Sequence, residues 1–110
     1  MDLNRCDIVG INLNPKKGDE IGKIRPCIII SNDDENQILD TIIVMPLSTQ
    51  LIDNMLPYRL RLSKRDELEK NSDILINHIR TISKKRVTSK IAKITNDEYE
   101  LIIQNLCKNF

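Results

Sequence analysis

A chain of 110 residues has room for one hydrophobic core, and with 40% apolar but only 3% aromatic residues that core must be built from Ile, Leu and Val. A formal net charge of +1 points to no partner class by itself. Three cysteines without a C-x-x-C pair leave no basis for a disulfide framework or zinc site, and no apolar run or basic-then-apolar start suggests a membrane span or secretory leader, so a reducing cytoplasm is expected.

In chain order, Cys6 to Leu13 alternates, with Asp7, Val9, Ile11 and Leu13 on one side, which predicts a half-buried first strand. Asn14-Pro15 breaks it, and Pro15 to Lys23 holds two glycines and no apolar period, as a long loop does. Pro26 to Ser31 (PCIIIS) is β-branched and continuous, the pattern of a strand buried on both faces, with Cys27 as a buried structural thiol. Asn32 to Asn36 is expected to be a polar turn. Thr41 to Leu47 (TIIVMPL) is a second buried strand ending in Ser48-Thr49-Gln50, and Gln50 to Met55 is a connecting loop.

Tyr58, Leu60 and Leu62 alternate with polar residues, predicting a two-faced strand; Lys64 to Asn71 is a short surface helix or a loop. Asp73 to Asn77 reads as a strand that continues after a kink through His78 to Ile82, whereas Ser83 to Ile94 shows no clear period. Thr95 and Glu98 match a capping box. Tyr99, Ile102, Ile103 and Leu106 follow with helical spacing, placing an amphipathic helix at about residues 95–109. Strands first and a helix last, without internal repeats, predict one mainly β domain over residues 1–110. It would be a small barrel or rolled sheet covered by the C-terminal helix, and not a parallel α/β fold.

The chain has no G-x-x-x-x-G-K-[ST] phosphate loop and no G-x-G-x-x-G. A single histidine excludes the two-histidine ribonuclease arrangement, and no His, Cys or carboxylate cluster has metal-ligand spacing. Any catalysis would fall to Arg, Ser or Thr, amides and at most one His. Basic residues gather in two places: Lys16, Lys17, Lys23 and Arg25, then Lys84, Lys85, Arg86, Lys90 and Lys93. Such clusters suit a phosphate-bearing ligand, and they equally suit a solvated surface.

Arg25 stands where the loop meets a buried strand, and Pro26 restricts it to extended backbone. Its planar, permanently charged fork matches two phosphate oxygens, although a strand-edge Arg often pairs with a surface carboxylate instead. Ser48, at a strand exit, either donates to a ligand or caps the chain.

Three stretches resemble the motifs of the MazF/PemK/Kid toxins. They are NLNPKKGDEIGKIRPCIIISND, VMPLSTQ and NHIRTISKKRV, which occur in that family's order and spacing. The resemblance implies an SH3-like barrel with a C-terminal helix, of MazF/CcdB type, and a homodimer with RNA clefts at its interface. It implies metal-independent, cofactor-free cleavage of single-stranded RNA at a short sequence, leaving a 2′,3′-cyclic phosphate and a 5′-hydroxyl. An antitoxin with a disordered tail is the implied second partner.

Arg25 matches the family's catalytic Arg, and Ser48 falls where Thr is usual. Lys16, Lys17, Asp19, Glu20 and Lys23 lie in the stretch that resembles the RNA-gripping loop, and Gln50 and Asn77 are further RNA-contact candidates. Some relatives carry a carboxylate where this chain has Asn77, which cannot take a proton. The adjacent His78 is therefore a candidate for proton transfer or for stacking on a base. Arg80 and Thr81 are read as structural or interface residues. Two other functions stay open from the sequence: a gyrase-poisoning toxin on the same fold, and a non-catalytic RNA- or protein-binding barrel.

Overall fold

A computed structural model describes residues 2–13 and 24–110. Seven strands and two helices follow in the order β1 (Asp7–Asn12), β2 (Ile24–Ile29), α1 (Asp33–Ile38), β3 (Thr41–Ser48), β4 (Arg59–Leu62), β5 (Ser72–Leu75), β6 (Arg80–Ser83), β7 (Val87–Lys93) and α2 (Asn96–Cys107). The strands form one antiparallel sheet in the order β4-β5-β3-β2-β1-β7, with β6 also on β3. The expected mainly β fold with a C-terminal helix is what forms.

The sheet is rolled. Ser83 ends β6 beside β3, and Val87 begins β7 beside β1, with β2 between those two strands. Four residues reach at most about 14 Å, whereas four flat strand spacings need about 19 Å. The connecting 3-10 turn Lys84–Arg86 therefore closes only if the sheet curls.

Alternation along the strands gives two apolar clusters on opposite faces. Ile8, Ile28, Met45, Leu47 and Ile74 point one way and are covered by Ile102, Tyr99 and Leu106 of α2. Val9, Ile11, Cys27, Ile29, Ile42, Val44 and Ile82 point the other way. The capping box of α2 is present as expected: Thr95 Oγ1 accepts from the Glu98 N–H at 3.1 Å, and Glu98 Oε1 accepts from the Thr95 N–H at 2.8 Å. No helix among the described residues is long and apolar enough to cross a membrane.

Several expectations need correction. β1 is buried on both faces rather than one, because β2 and β7 flank it and both clusters use it; even Asp7 is buried, its carboxylate beside Lys90 Nζ at 3.4 Å. The polar stretch after β2 is not a turn but the start of α1. Asn32 caps that helix by accepting from the Glu35 N–H at 2.8 Å, and three acidic residues occupy its first turn, where the helix dipole favours them. Of the two readings of residues 64–71 the loop is the one that forms; Arg65 and Leu68 make an isolated bridge there, and Leu68 is buried. Residues 83–94, which lack a clear period, supply the 3-10 turn and β7, whose pairing with β1 shifts twice and so breaks a regular alternation.

Cys6 precedes β1 with φ of 79°, a region costly for side chains with a Cβ. It is held there because its N–H donates to Ile29 C=O and its C=O accepts from Ile94 N–H, both at 3.0 Å. Branching at Cβ worsens that backbone strain. Cys6→Val is therefore expected to cost about 2 kcal/mol, and Cys6→Gly to stay within about 1 kcal/mol of wild type, in urea unfolding.

Candidate functional site

β2 and β3 pair with Cys27 opposite Pro46 and Ile29 opposite Val44. The same register carried two residues further sets Arg25 opposite Ser48. Directly opposed residues share a face and lie about 5 Å apart at Cα. Arg25, Ser48 and Cys27 are thus on the face turned away from α2, at the end of the strand pair. On its other side Arg25 pairs with Ile11, which is fully buried, so the base of the arginine is fixed while its head is partly exposed.

Arg25 forms no ion pair with a carboxylate among the described residues. Ser48 ends β3, and its Oγ accepts from the Gln50 N–H at 3.2 Å. A hydroxyl that accepts this way still has its own proton to donate.

The third part of the site comes from an interruption. Along one edge β3 pairs with β6 up to Val44 and with β5 from Leu47 onwards, leaving Met45 and Pro46 between. Pro46 has no N–H to offer a ladder, and here none is needed. The gap is filled by the 3-10 turn Ile76–His78, which buries Ile76 and leaves Asn77 and His78 exposed. The predicted kink between two strand segments is this turn. Arg80, just beyond it, pairs with Val44.

Burial pushes the Cys27 thiol up to about 12, against the pull of the Arg80 and Arg25 guanidiniums. The thiol is therefore a protonated, inert core group at neutral pH. Arg80 pairs with Val44, which pairs with Ile29, so Arg80 projects on the same face as Cys27 and Arg25. Strand alternation around the Ile-Arg-Thr-Ile stretch, had its register with β3 been known, would have shown this.

The structure thus brings Arg25 and Ser48 onto one face, with Gln50 following Ser48 and the exposed Asn77 and His78 one strand away. Lys16, Lys17, Asp19, Glu20 and Lys23 lie outside the described residues. Two concavities of about 250 Å³ each are formed by described residues, one beside α1 around Asn36 and Lys84, the other around Ile52, Leu56, Arg59 and Asp73. Neither is lined by Arg25 or Ser48.

One polar constellation was not visible in the sequence. Asp73 sits opposite Ser48 on β5, 1% exposed, between Arg59 and Arg61 of β4. Burial by itself would raise its carboxyl, but hydrogen bonds from Arg61, the Ile52 N–H and Arg59 outweigh that and hold it below the usual carboxylate range. Glu98 is likewise held low by Arg65, whose fork reaches both carboxylate oxygens at 2.5 and 2.7 Å, against the opposing effect of burial.

A carboxyl depressed in the folded state stabilises fully above its ordinary pKa, near 4, and loses that contribution as pH falls through the folded value. Stability is therefore expected to start falling as pH drops below about 5 and to go on falling as pH passes through the depressed folded values. In urea titrations Asp73→Asn should flatten that drop.

With this geometry in hand, the relatives are informative. A profile of the PemK-like, MazF-like toxins of type II toxin–antitoxin systems matches residues 4–110. The chain belongs to this toxin family. It is 34% identical over 107 residues to the endoribonuclease EndoA of Bacillus subtilis (strain 168), covering 96% of this chain and 92% of that one.

Among solved structures the fold is similar to the MazE–MazF complex (form II) of Deinococcus radiodurans, with a TM-score of 0.80 at 18% identity over 99% of this chain and 96% of that one. The toxin MazF-mt6 of Mycobacterium tuberculosis superposes with a TM-score of 0.77 at 16% identity, covering 93% of each chain. A mycobacterial endoribonuclease in complex with its cognate antitoxin gives 0.74 at 16%, over 97% of this chain and 91% of that one. Both α2 and every strand of the MazF-like sheet fall within the family match.

Proposed function

We propose that this MazF-like toxin is a sequence-specific, metal-independent endoribonuclease that cuts single-stranded RNA to a 2′,3′-cyclic phosphate and a 5′-hydroxyl. The observation that supports the reading is Arg25: a guanidinium whose base pairs with the buried Ile11, on the same sheet face as the Ser48 hydroxyl, with no carboxylate partner among the described residues. In the proposed reaction the ribose 2′-oxygen attacks the adjacent phosphorus, the O2′–P bond forms, and the bond to the 5′-oxygen breaks. Negative charge grows on the phosphoryl oxygens. Arg25 stabilises it, and the Ser48 hydroxyl adds a second hydrogen bond; preorganised donors of this kind are worth roughly 3–4 kcal/mol each.

Arginine does not deprotonate readily, so the protons need another carrier. His78, exposed beside Asn77 on the 3-10 turn, is that candidate, either taking a proton from the 2′-hydroxyl or giving one to the leaving oxygen. Lys16, Lys17 and Lys23 would hold phosphates, while Asp19, Glu20, Gln50 and Asn77 would read base edges. The rolled sheet is assigned as an SH3-like barrel, paired with a second copy to frame the RNA groove. The occurrence of MazE–MazF and toxin–antitoxin complexes among the structural relatives supports an antitoxin with a disordered segment as the other partner.

Incubating the protein with single-stranded RNA, with DNA of the same sequence, and separately with gyrase and DNA tests this reading. RNA alone should be cut, with EDTA present, at a short recurring sequence. Binding without cleavage would leave the non-catalytic barrel, and gyrase poisoning would move the toxin to the other target. His78→Gln should slow the cut and change its pH profile; full activity at every pH would remove His78 from the chemistry.

A further inference from the structure

Ser48 is followed by a segment with little to hold it. Residues 49–54 are all exposed, and even its apolar members Leu51 and Ile52 are 43% and 41% exposed, so hydrophobic burial does not fix their path. What does hold them converges on one carboxylate. Asp73 Oδ2 accepts from the Ile52 N–H at 2.8 Å and from Arg59 Nη1 at 3.2 Å; the same Nη1 donates to Gln50 C=O at 3.0 Å. Asp73 Oδ1 accepts from Arg61 Nε at 2.6 Å, and Arg61 Nη2 donates to Asp53 Oδ1 at 2.8 Å. Gln50 then ties back to Ser48 through its N–H.

We propose that Asp73, bridged by Arg59 and Arg61, is a positioning residue that fixes the backbone after Ser48 and so aims the Ser48 hydroxyl and Gln50 at the RNA. This inference rests on the nuclease reading above. A buried, paired charge adds little net stability over an apolar side chain, but it does select one arrangement of the groups it bonds. Here those groups are the backbone N–H and C=O of the segment joined to a reacting residue. An error of about 1 Å in such a segment is enough to slow chemistry by about a hundredfold.

The test compares Asp73→Asn, Arg61→Gln and Arg61→Lys with wild type and Arg25→Ala. It measures kcat and KM on an RNA substrate together with amide exchange at Gln50 and Ile52. Arg61 is 40% exposed at its side chain, and Arg59 still faces Asp73 when Arg61 is replaced, so its variants supply the comparison if Asp73→Asn fails to fold; the urea midpoint of each variant checks that it is folded. Asp73→Asn and Arg61→Gln should lower kcat by about tenfold or more, with KM changed less than about threefold and faster exchange at Ile52. Arg61→Lys, which keeps the charge but loses the fork, should recover part of the rate.

Unchanged kcat in the folded variants, or a loss confined to thermal stability, would overturn the positioning role while leaving the nuclease reading intact. Wild type as inert as Arg25→Ala would overturn the nuclease reading, and this inference with it.

Discussion

Arg25→Ala is expected to lower the rate of RNA cleavage by about 10²–10³-fold while leaving the melting temperature nearly unchanged, within about 0.5 kcal/mol of stability. The first part follows from what the guanidinium does. Its charge is permanent, its base is paired with the buried Ile11, and among the described residues no carboxylate competes for it. The second part follows from the same observation, since a side chain without an ion pair contributes little when removed. Arg25→Lys should restore charge but not the two-pronged geometry, and so recover only part of the rate. A large stability loss on Arg25→Ala would show instead that the residue is a structural member of the sheet.

Ile102→Ala should produce the largest loss of stability, about 2–5 kcal/mol, read as a fall in the urea midpoint. Ile102 is fully buried where α2 crosses the face formed by Ile8, Ile28, Met45 and Ile74, and truncation there leaves a cavity that a packed sheet cannot collapse. Its neighbour Leu101 is 44% exposed, and Leu101→Ala should stay within about 0.5 kcal/mol of wild type. Because α2 covers one face and Arg25 lies on the other, the fraction of Ile102→Ala that remains folded should cleave at the wild-type rate. A lower rate per folded molecule would mean that the two faces are coupled.

The parts of this fold that were legible from the sequence are those governed by local pattern. PCIIIS and TIIVMPL are strands because continuous β-branched runs suit a sheet buried on both sides. The terminal helix announces itself through Thr95, Glu98 and the apolar spacing that follows. α1 escaped notice because Asn32-Asp33-Asp34-Glu35-Asn36 is a turn by composition. It becomes helical only when Asn36 can be buried, its Nδ2 donating to Ser31 C=O at 3.0 Å. β7 escaped because its register shifts against β1 remove the regular period that would have revealed it.

The site divides in the same way. Arg25 and Ser48 were legible as a cation where a loop meets a strand and a strand-end hydroxyl, and strand alternation sets them on the same face of the sheet. Asp73, Arg59 and Arg61 were not, since each alone is an ordinary charged strand residue. Only the pairing of β4 with β5 and of β5 with β3 turns them into one network beside Ser48. Arg80, expected to be a structural or interface residue, lies on the same face as Cys27 and Arg25 because β6 rejoins β3 after the 3-10 turn.

The most direct measurement uses an RNA oligonucleotide carrying the mapped cut site and a twin in which only the nucleotide 5′ to the scissile phosphate lacks its 2′-hydroxyl. If Arg25 and Ser48 serve an attack by that hydroxyl, the first is cut to a cyclic phosphate and a 5′-hydroxyl, and the twin is bound but stays whole. Cleavage of the twin at a comparable rate would mean that water or a protein group attacks the phosphorus, contradicting the chemistry assigned to this pair.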